Sequence, residues 1–562
     1  MGIPLLFGWL SRKYKSDIIC QINGDPNHLF FDFNGLIYQC YARLDYQTML
    51  KKTIQDRQTA LIREVIRYTK HIIEFVKPTV SVGFFIDGPV PMAKMHQQRL
   101  RRYKGPILRE WENDIKHRYG LFQEELLDTN QITPGTPFMN SLADALKTAI
   151  KSKYFGTIDV IFSDANDAGE GEHKIMNHIR SSYTSISDKI CIYGMDADLI
   201  MLSLSLKQKD VWLIRENVHI KGKRDGVKSG PEFLYVSIER LADMIKKEMI
   251  TAINGKAIFD VDRLIQDYVF IGFLLGNDFL HCIPSINIQH NGIDFLIELY
   301  GKCFAKIKSH LLFKVNERTM INHRFLKEIF ETLNRSEESN LRFLQKRKQV
   351  PRAPNFDDHY SEDRWKWDRV PYNPRFEKCF SVVNYQNSGW KSVYYDVLFN
   401  GKYQNDVVCK NYFDGLTFVV QYYFDGNVSW NWYNPYHYCP LASDLNEYLK
   451  RIPDINSIVL DKGIPFNPFE QLMMVLPKGS SHILPECLQI EMKSDELSQF
   501  YPDSFEWVAW EKFMLYEINP DLPLIDINKI KEVVLRNKSI LDGQSSEREK
   551  VVKEISNVGD LP

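Results

Sequence analysis

Apolar and polar positions fall into two regimes along the 562 residues. Through about residue 310, short apolar runs rich in β-branched and aromatic residues are separated by stretches with helical spacing. The runs are HLFFDFNG (28–35), VSVGFFIDG (80–88), IDVIFSD (158–164), KICIYGMDADL (189–199) and FIGFLLGNDFL (270–280). Such alternation predicts an α/β fold, a mainly parallel sheet with flanking helices. Residues 334–370 are charged, carry two prolines with a third at Pro371, and lack apolar periodicity, which predicts a connector. From 371 to 562 the chain is apolar again, with the aromatic stretch FVVQYYFDGNVSWNWYNPYHYCP (418–440) at its centre, and a second α+β body packed against the first is expected there. The predicted organisation is therefore 1–333, a connector at 334–370, and 371–562. The KRK run at 346–348 reads as solvated connector, not as a nuclear signal.

The ends of the apolar runs carry carboxylates: Asp32, Asp87, Glu170, Glu172, Asp196, Asp198 and Asp278. Active sites of parallel sheets lie at the carboxyl ends of their strands. Two ionised carboxylates ~4 Å apart repel by about 4 kcal/mol at an effective dielectric of about 20, so a converging set must protonate or bind cations. Oxygen-only donors favour Mg²⁺ or Mn²⁺. The pairs Glu170/Glu172 and Asp196/Asp198 are spaced i, i+2, which puts both carboxylates on one face of an extended backbone. Each pair alone reads as a solvated turn; all seven acids after successive apolar runs point to hydrolysis of a phosphodiester with two metal ions.

A second constellation is DGPVPMAKMHQQRLRRY (87–103). If 93–103 is helical, Lys94, Gln98, Arg101 and Arg102 share one face, a donor set suited to a terminal phosphate; the bland reading is an exposed basic helix. The third is aromatic: Tyr38, close after Asp32, and Trp430 or Trp432 could stack on bases, although most such rings are core.

Composition narrows the class. With 44% apolar and 25% charged residues, and 71 basic against 72 acidic side chains, any nucleic-acid surface must be a local patch. The nine cysteines include no CxxC pair or zinc-finger spacing, and no apolar run approaches the length of a membrane span. MGIPLLFGWLSRKYKSD is too short in its apolar part for a signal peptide. A cytoplasmic, reducing location and no membrane partner are expected.

Taken in order, MGIPLLFGWL, FDFNGLIYQC, IDGPVPMAKMHQQRLRR, ITPGTPFM, GEGEHKIMNHIR, YGMDADLIML and FLLGNDFL resemble the motifs of Xrn-type 5′→3′ exoribonucleases. GLTFVVQYYFDGNVSWNWYNPYHYCPLASD, PFNPFEQLMMVLPKGSS and FYPDSFEWVAWEKFM resemble that family's second conserved region. The resemblance implies a PIN/flap-nuclease-like core and a processive enzyme releasing mononucleotides from single-stranded RNA with a 5′-monophosphate. It further implies two divalent ions held by the seven acids, a phosphate pocket of Lys94, Gln98, Arg101 and Arg102, and stacking by Tyr38 and Trp430, with Trp432 in reserve. Asp32, Asp87, Glu170 and Glu172 are assigned to one ion, and Asp196, Asp198 and Asp278 to the other.

A role in mRNA decay, coupling to a decapping enzyme and a monomeric state are expected on the same ground. Three departures stand out. Tyr38 replaces the usual His, His281 replaces the usual Pro, and the chain ends soon after the second region, which suits a compact cytoplasmic enzyme such as one encoded by a large virus. The rivals are a flap-type DNA nuclease, whose glycine-rich DNA-gripping hairpin is not evident here, and a catalytically silent RNA-end-binding scaffold.

Overall fold

The computed structural model describes residues 3, 5–182, 187–208, 210–217, 231–255, 260–347, 353–401, 405–426 and 429–541. The first part runs α1 (Leu6–Ile18), β1 (His28–Asp32), α2 (Phe33–Tyr41), α3 (Tyr46–Leu50), α4 (Ile54–Val76), β2 (Ser81–Phe85), α5 (Met92–Arg118), α6 (Pro137–Lys151), β3 (Asp159–Ser163), α7 (Gly171–Ser182), β4 (Ile190–Tyr193), α8 (Asp198–Leu204), β5 (Val211–Glu216) and β6 (Phe233–Ser237). The six strands form one sheet in the order β3-β2-β1-β4-β5-β6. β1 to β5 are parallel and β6 is antiparallel to β5. Order reverses between β1 and β4, so the crevice beyond their carboxyl ends is the topological switch point.

Both sheet faces are covered, as the unbroken apolar runs predict. Alternate residues face opposite ways: Phe30, Ile190 and Ile192 join one core, while Leu29, Phe31, Cys191 and Tyr193 join the other. Gly83 of β2 lies where a Cβ would come within 2.5 Å of Phe85 and 2.7 Å of Phe30, so only glycine lets these rings close over the strand.

Two expectations need correcting. The run before Asp278 is a helix, Arg263–Phe273, buried on nearly every side, and not a strand. An apolar run with no polar face has no period by which helix and strand could be told apart. The acid pairs do not sit on extended backbone either, because Glu170 immediately precedes α7 with Glu172 in its first turn, and Asp196 lies in the loop that leads to Asp198, the first residue of α8. The positive end of each helix dipole favours carboxylates there.

The stretch expected to connect two bodies is largely helical. His323–Arg347 is one helix burying Leu333, Glu337 and Leu341, and His359–Trp367 is another. Lys348 of the KRK run lies outside the described residues. The second body is predominantly helical, with a two-residue strand pair, Trp507–Val508 and Asn519–Pro520. It shares cores with the first: Tyr412, Phe413 and Tyr423 pack with the helices beneath the sheet, while Trp430, Leu472 and Met473 pack on Val90, Met92 and Met95. Among the described residues no helix is long and apolar enough to cross a membrane.

Candidate active site

The strand ends converge as the carboxylate pattern suggests. A cavity of about 360 Å³ is lined by Asp32, Asp87, Glu170, Glu172, Asp196 and Asp278, together with Tyr38, Lys94, Gln98, Arg101 and Arg102. Asp198 stands behind this lining, 4% exposed, and accepts a hydrogen bond of 2.7 Å from the Tyr423 hydroxyl. Asp87 is held from two sides: its carboxylate accepts from the Gly171 N–H at 2.7 Å, and its own N–H donates to Asn34 Oδ1 at 3.2 Å. Gly171 has no room for a side chain, since a Cβ would lie 2.6 Å from the Phe85 carbonyl and 2.8 Å from Asp32 Oδ1. The glycine between the two glutamates thus lets α7 settle onto the sheet edge.

Burial and mutual repulsion govern the charges. Asp32 is pushed well above the ordinary carboxylate range by burial, then by Asp87, Asp196 and Glu170. Glu172 is raised well above that range by burial, then by Asp198 and Glu170. Burial, followed by Asp278, raises Asp198 to about 7. Among its neighbours, Asp198 is thus the charge that weighs most on Glu172. Lys94 offsets part of the repulsion: its ammonium lies 2.6 Å from Glu170 Oε2 and 2.8 Å from Asp278 Oδ2. Burial would raise Asp278, but Lys94 beside it holds it below its usual range.

The α5 face forms as expected. Gln98 and Arg102 are buried and Arg101 is exposed. Arg102 donates to Asn130 Oδ1 at 2.8 Å, and Asn130 donates in turn to Ser480 Oγ of the second body at 2.9 Å. Burial lowers Arg102 to about 10. Gln98 Oε1 and Arg102 Nε are buried without partners, as is Glu172 Oε2. Arg102, held by Asn130 and with its Nε–H still to be satisfied, suits an anionic oxygen cluster.

Residues 1–217 match the family described as XRN 5′-3′ exonuclease N-terminus, and residues 258–370 and 372–558 match the Xrn1 helical domain. The chain belongs to the Xrn family of 5′-3′ exonucleases. It is 27% identical to the 5′-3′ exoribonuclease 2 of Debaryomyces hansenii, over 99% of this chain and 72% of that protein. The corresponding homolog of Drosophila melanogaster is 29% identical over 98% of this chain and 72% of its own length. Human 5′-3′ exoribonuclease 1 is 28% identical over 95% of this chain, which spans 34% of that longer protein. A crystal structure of the T5 D15 protein co-crystallised with metal ions aligns with 56% of this chain and 88% of that one, at 13% identity and a TM-score of 0.26.

Against the Xrn expectations, the aromatic residues divide. Tyr38, 39% exposed on α2, lines the cavity. Trp430 does not: it is 8% exposed in a core with Met92 and Met95, and its carbonyl accepts from the Met92 N–H at 2.9 Å. Trp432 does not line it either, packing on Phe418 with ring centroids 4.8 Å apart. Both tryptophans are thus brought against helices, outside the lining of the cavity that Tyr38 joins. His281, which stands where the family usually has Pro, spans the two bodies, its Nε2–H donating to the Tyr436 carbonyl at 2.7 Å.

Sequence reasoning missed Tyr422 and Tyr423, whose hydroxyls donate to Glu170 Oε1 and Asp198 Oδ1. A usable signal existed, since buried tyrosines need acceptors and two stand together in QYYF. It missed Asn130 as well, for which no spacing points to Arg102.

Proposed function

We propose that this Xrn-family protein is a processive 5′→3′ exoribonuclease that hydrolyses single-stranded RNA bearing a 5′-monophosphate, using two divalent metal ions, Mg²⁺ or Mn²⁺. The observation that carries the reading is the shared lining of one cavity by six carboxylates and by Gln98, Arg101 and Arg102. Arg101 and Arg102 take the terminal phosphate, and Tyr38 offers its ring to the first base. The scissile bond behind that nucleotide then lies toward the acids.

The donor set suits hard cations: it is all oxygen, it contains the unpartnered Glu172 Oε2, and it already holds the ammonium of Lys94. Among the described residues no group of three or more His, Cys, Asp or Glu is arranged to hold a metal as it stands. Asp32, Asp87 and Glu170 would hold one ion, and Asp196, Asp198 and Asp278 the other, with Glu172 beside Asp198 able to join the second. When bound, the ions would lower the pKa of the attacking water and stabilise charge on the leaving 3′ oxygen. A role in mRNA decay after decapping, as a cytoplasmic monomer, follows from the same reading.

The test offers 5′-phosphate RNA, 5′-hydroxyl RNA and flap DNA to the full chain with Mg²⁺. Release of mononucleotides from 5′-phosphate RNA is expected. Preference for flap DNA would support a DNA nuclease, and binding without release a silent scaffold. Arg101→Ala should reduce the preference for 5′-phosphate over 5′-hydroxyl RNA by at least about tenfold, the worth of a charged hydrogen bond. Equal losses on both RNAs would make α5 a general basic surface.

A further inference from the structure

We propose that Tyr422 and Tyr423, from the second body, are positioning residues that fix the rotation of the Glu170 and Asp198 carboxylates and so set the affinity of the site for divalent cations. The inference rests on the reading that these acids bind such cations. Tyr422 and Tyr423 lie in a π-helical turn, Gln421–Asp425, that continues the helix Asn405–Val420. Turns of this kind are rare and concentrate at functional sites.

The two hydroxyls reach acids on different elements. Tyr422 donates to Oε1 of Glu170, which precedes α7; Tyr423 donates to Oδ1 of Asp198, which opens α8. Each donation occupies one carboxylate oxygen and leaves the other for a cation. On Glu170 that second oxygen, Oε2, already meets the Lys94 ammonium. A phenol bonded to one oxygen thereby decides which way the other points, as outer hydrogen bonds orient metal ligands generally.

The turn itself is pinned on three sides. The Tyr423 carbonyl accepts from Arg180 of α7 at 2.6 Å and from the Ser205 hydroxyl after α8 at 2.9 Å. Asp425 accepts from the Thr319 hydroxyl at 2.6 Å and from its N–H at 3.0 Å. Gly426 then leaves the turn at φ +63°, where a Cβ would stand 2.5 Å from Asn177 Oδ1. The rings have their own packing: Tyr422 lies 3.6 Å from His173 and 4.9 Å from Phe279, and Tyr423 lies 4.9 Å from Phe273, between centroids. Phenylalanine would keep those contacts and remove only the hydroxyl.

The experiment titrates Mn²⁺ into the full-length wild type, Tyr422→Phe and Tyr423→Phe by calorimetry, and measures single-turnover hydrolysis and KM on 5′-phosphate RNA. Each variant should bind Mn²⁺ about 10- to 100-fold more weakly, with the rate falling at low Mn²⁺ and recovering as Mn²⁺ is raised, and KM for RNA changed less than about twofold. Mn²⁺ affinity within about twofold of wild type in both variants would overturn the proposal. So would a rate loss that no Mn²⁺ concentration restores. A wild type that neither binds Mn²⁺ nor cleaves RNA would instead overturn the functional reading beneath it. Should Tyr423→Phe fail to fold, Tyr422→Phe decides alone.

Discussion

Single carboxylates in this site are costly to the fold and useful to the chemistry. Asp198 is buried, raised to about 7, and bonded to Tyr423 through one oxygen. Asp198→Asn keeps an oxygen for that hydroxyl while removing a charge repelled by Asp278 and Asp196. Hydrolysis should fall by more than about a hundredfold, while the melting temperature without metal stays level or rises. Rates within tenfold of wild type at saturating Mg²⁺ would exclude Asp198 from the metal site. The acids were legible because charge at the end of an apolar run is conspicuous in any sequence. The tyrosines that hold them were not, since hydroxyl and acceptor are 225 residues apart for Asp198 and 252 for Glu170.

At the level of elements, the seat of α7 on the sheet edge decides whether Glu170 and Glu172 meet Asp32 and Asp87. That seat depends on Gly171, where a Cβ would lie 2.6 Å from the Phe85 carbonyl and 2.8 Å from Asp32 Oδ1. Gly171→Ala forces the helix outward, and we expect a stability loss of about 1–3 kcal/mol. The rate should drop by about a hundredfold, because a displacement near 1 Å is enough to misalign reacting groups. Thermal melts alongside initial rates would check both, and a stable, fully active alanine variant would show that α7 has freedom to shift. The helix Arg263–Phe273 illustrates the opposite case. Its element type could not be read from a run apolar on every side, yet the Gly-Asn-Asp that follows still marked Asp278 as an acid of the site.

Across the whole molecule, the second body acts on the first through α5. Trp430 and the Gln471 side chain hold the start of that helix, the latter accepting from the Val90 N–H at 2.8 Å. Trp430→Ala should cost about 3–5 kcal/mol as a buried ring is lost. Because Tyr38 lines the cavity and Trp430 does not, the effects of Tyr38→Ala and Trp430→Ala on activity should add. Strong non-additivity in a double-mutant cycle would instead place both rings on one base. The same interface carries three half-buried histidines, His96, His281 and His437. Burial, then His437, Arg99 and His281, lowers His96 to about 3; burial and Lys512 lower His281 to about 3 and His437 to about 4. An unfolded His titrates near about 6.5, so below that pH the unfolded chain takes up protons that the folded one refuses. Stability contributed by these rings is therefore present above about pH 6.5 and lost as pH falls toward about 4, by up to about 1.4 kcal/mol per pH unit for each ring. Urea midpoints from pH 7 to 4.5 should show a shallower decline in His437→Gln than in wild type; equal slopes would mean that His437 is protonated in the fold.

The amino-acid sequence by itself determined the parallel sheet, its helical cover, the seven acids and the α5 donor face, because alternation of apolar runs and charge placement are local properties that neighbouring residues impose. Only the tertiary structure decided that the acid pairs lie at helix starts, that Tyr422 and Tyr423 donate to two carboxylates, and that Trp430 buttresses α5. Each of these depends on which distant side chains fill the space around a residue, and packing of that kind leaves no period in the chain.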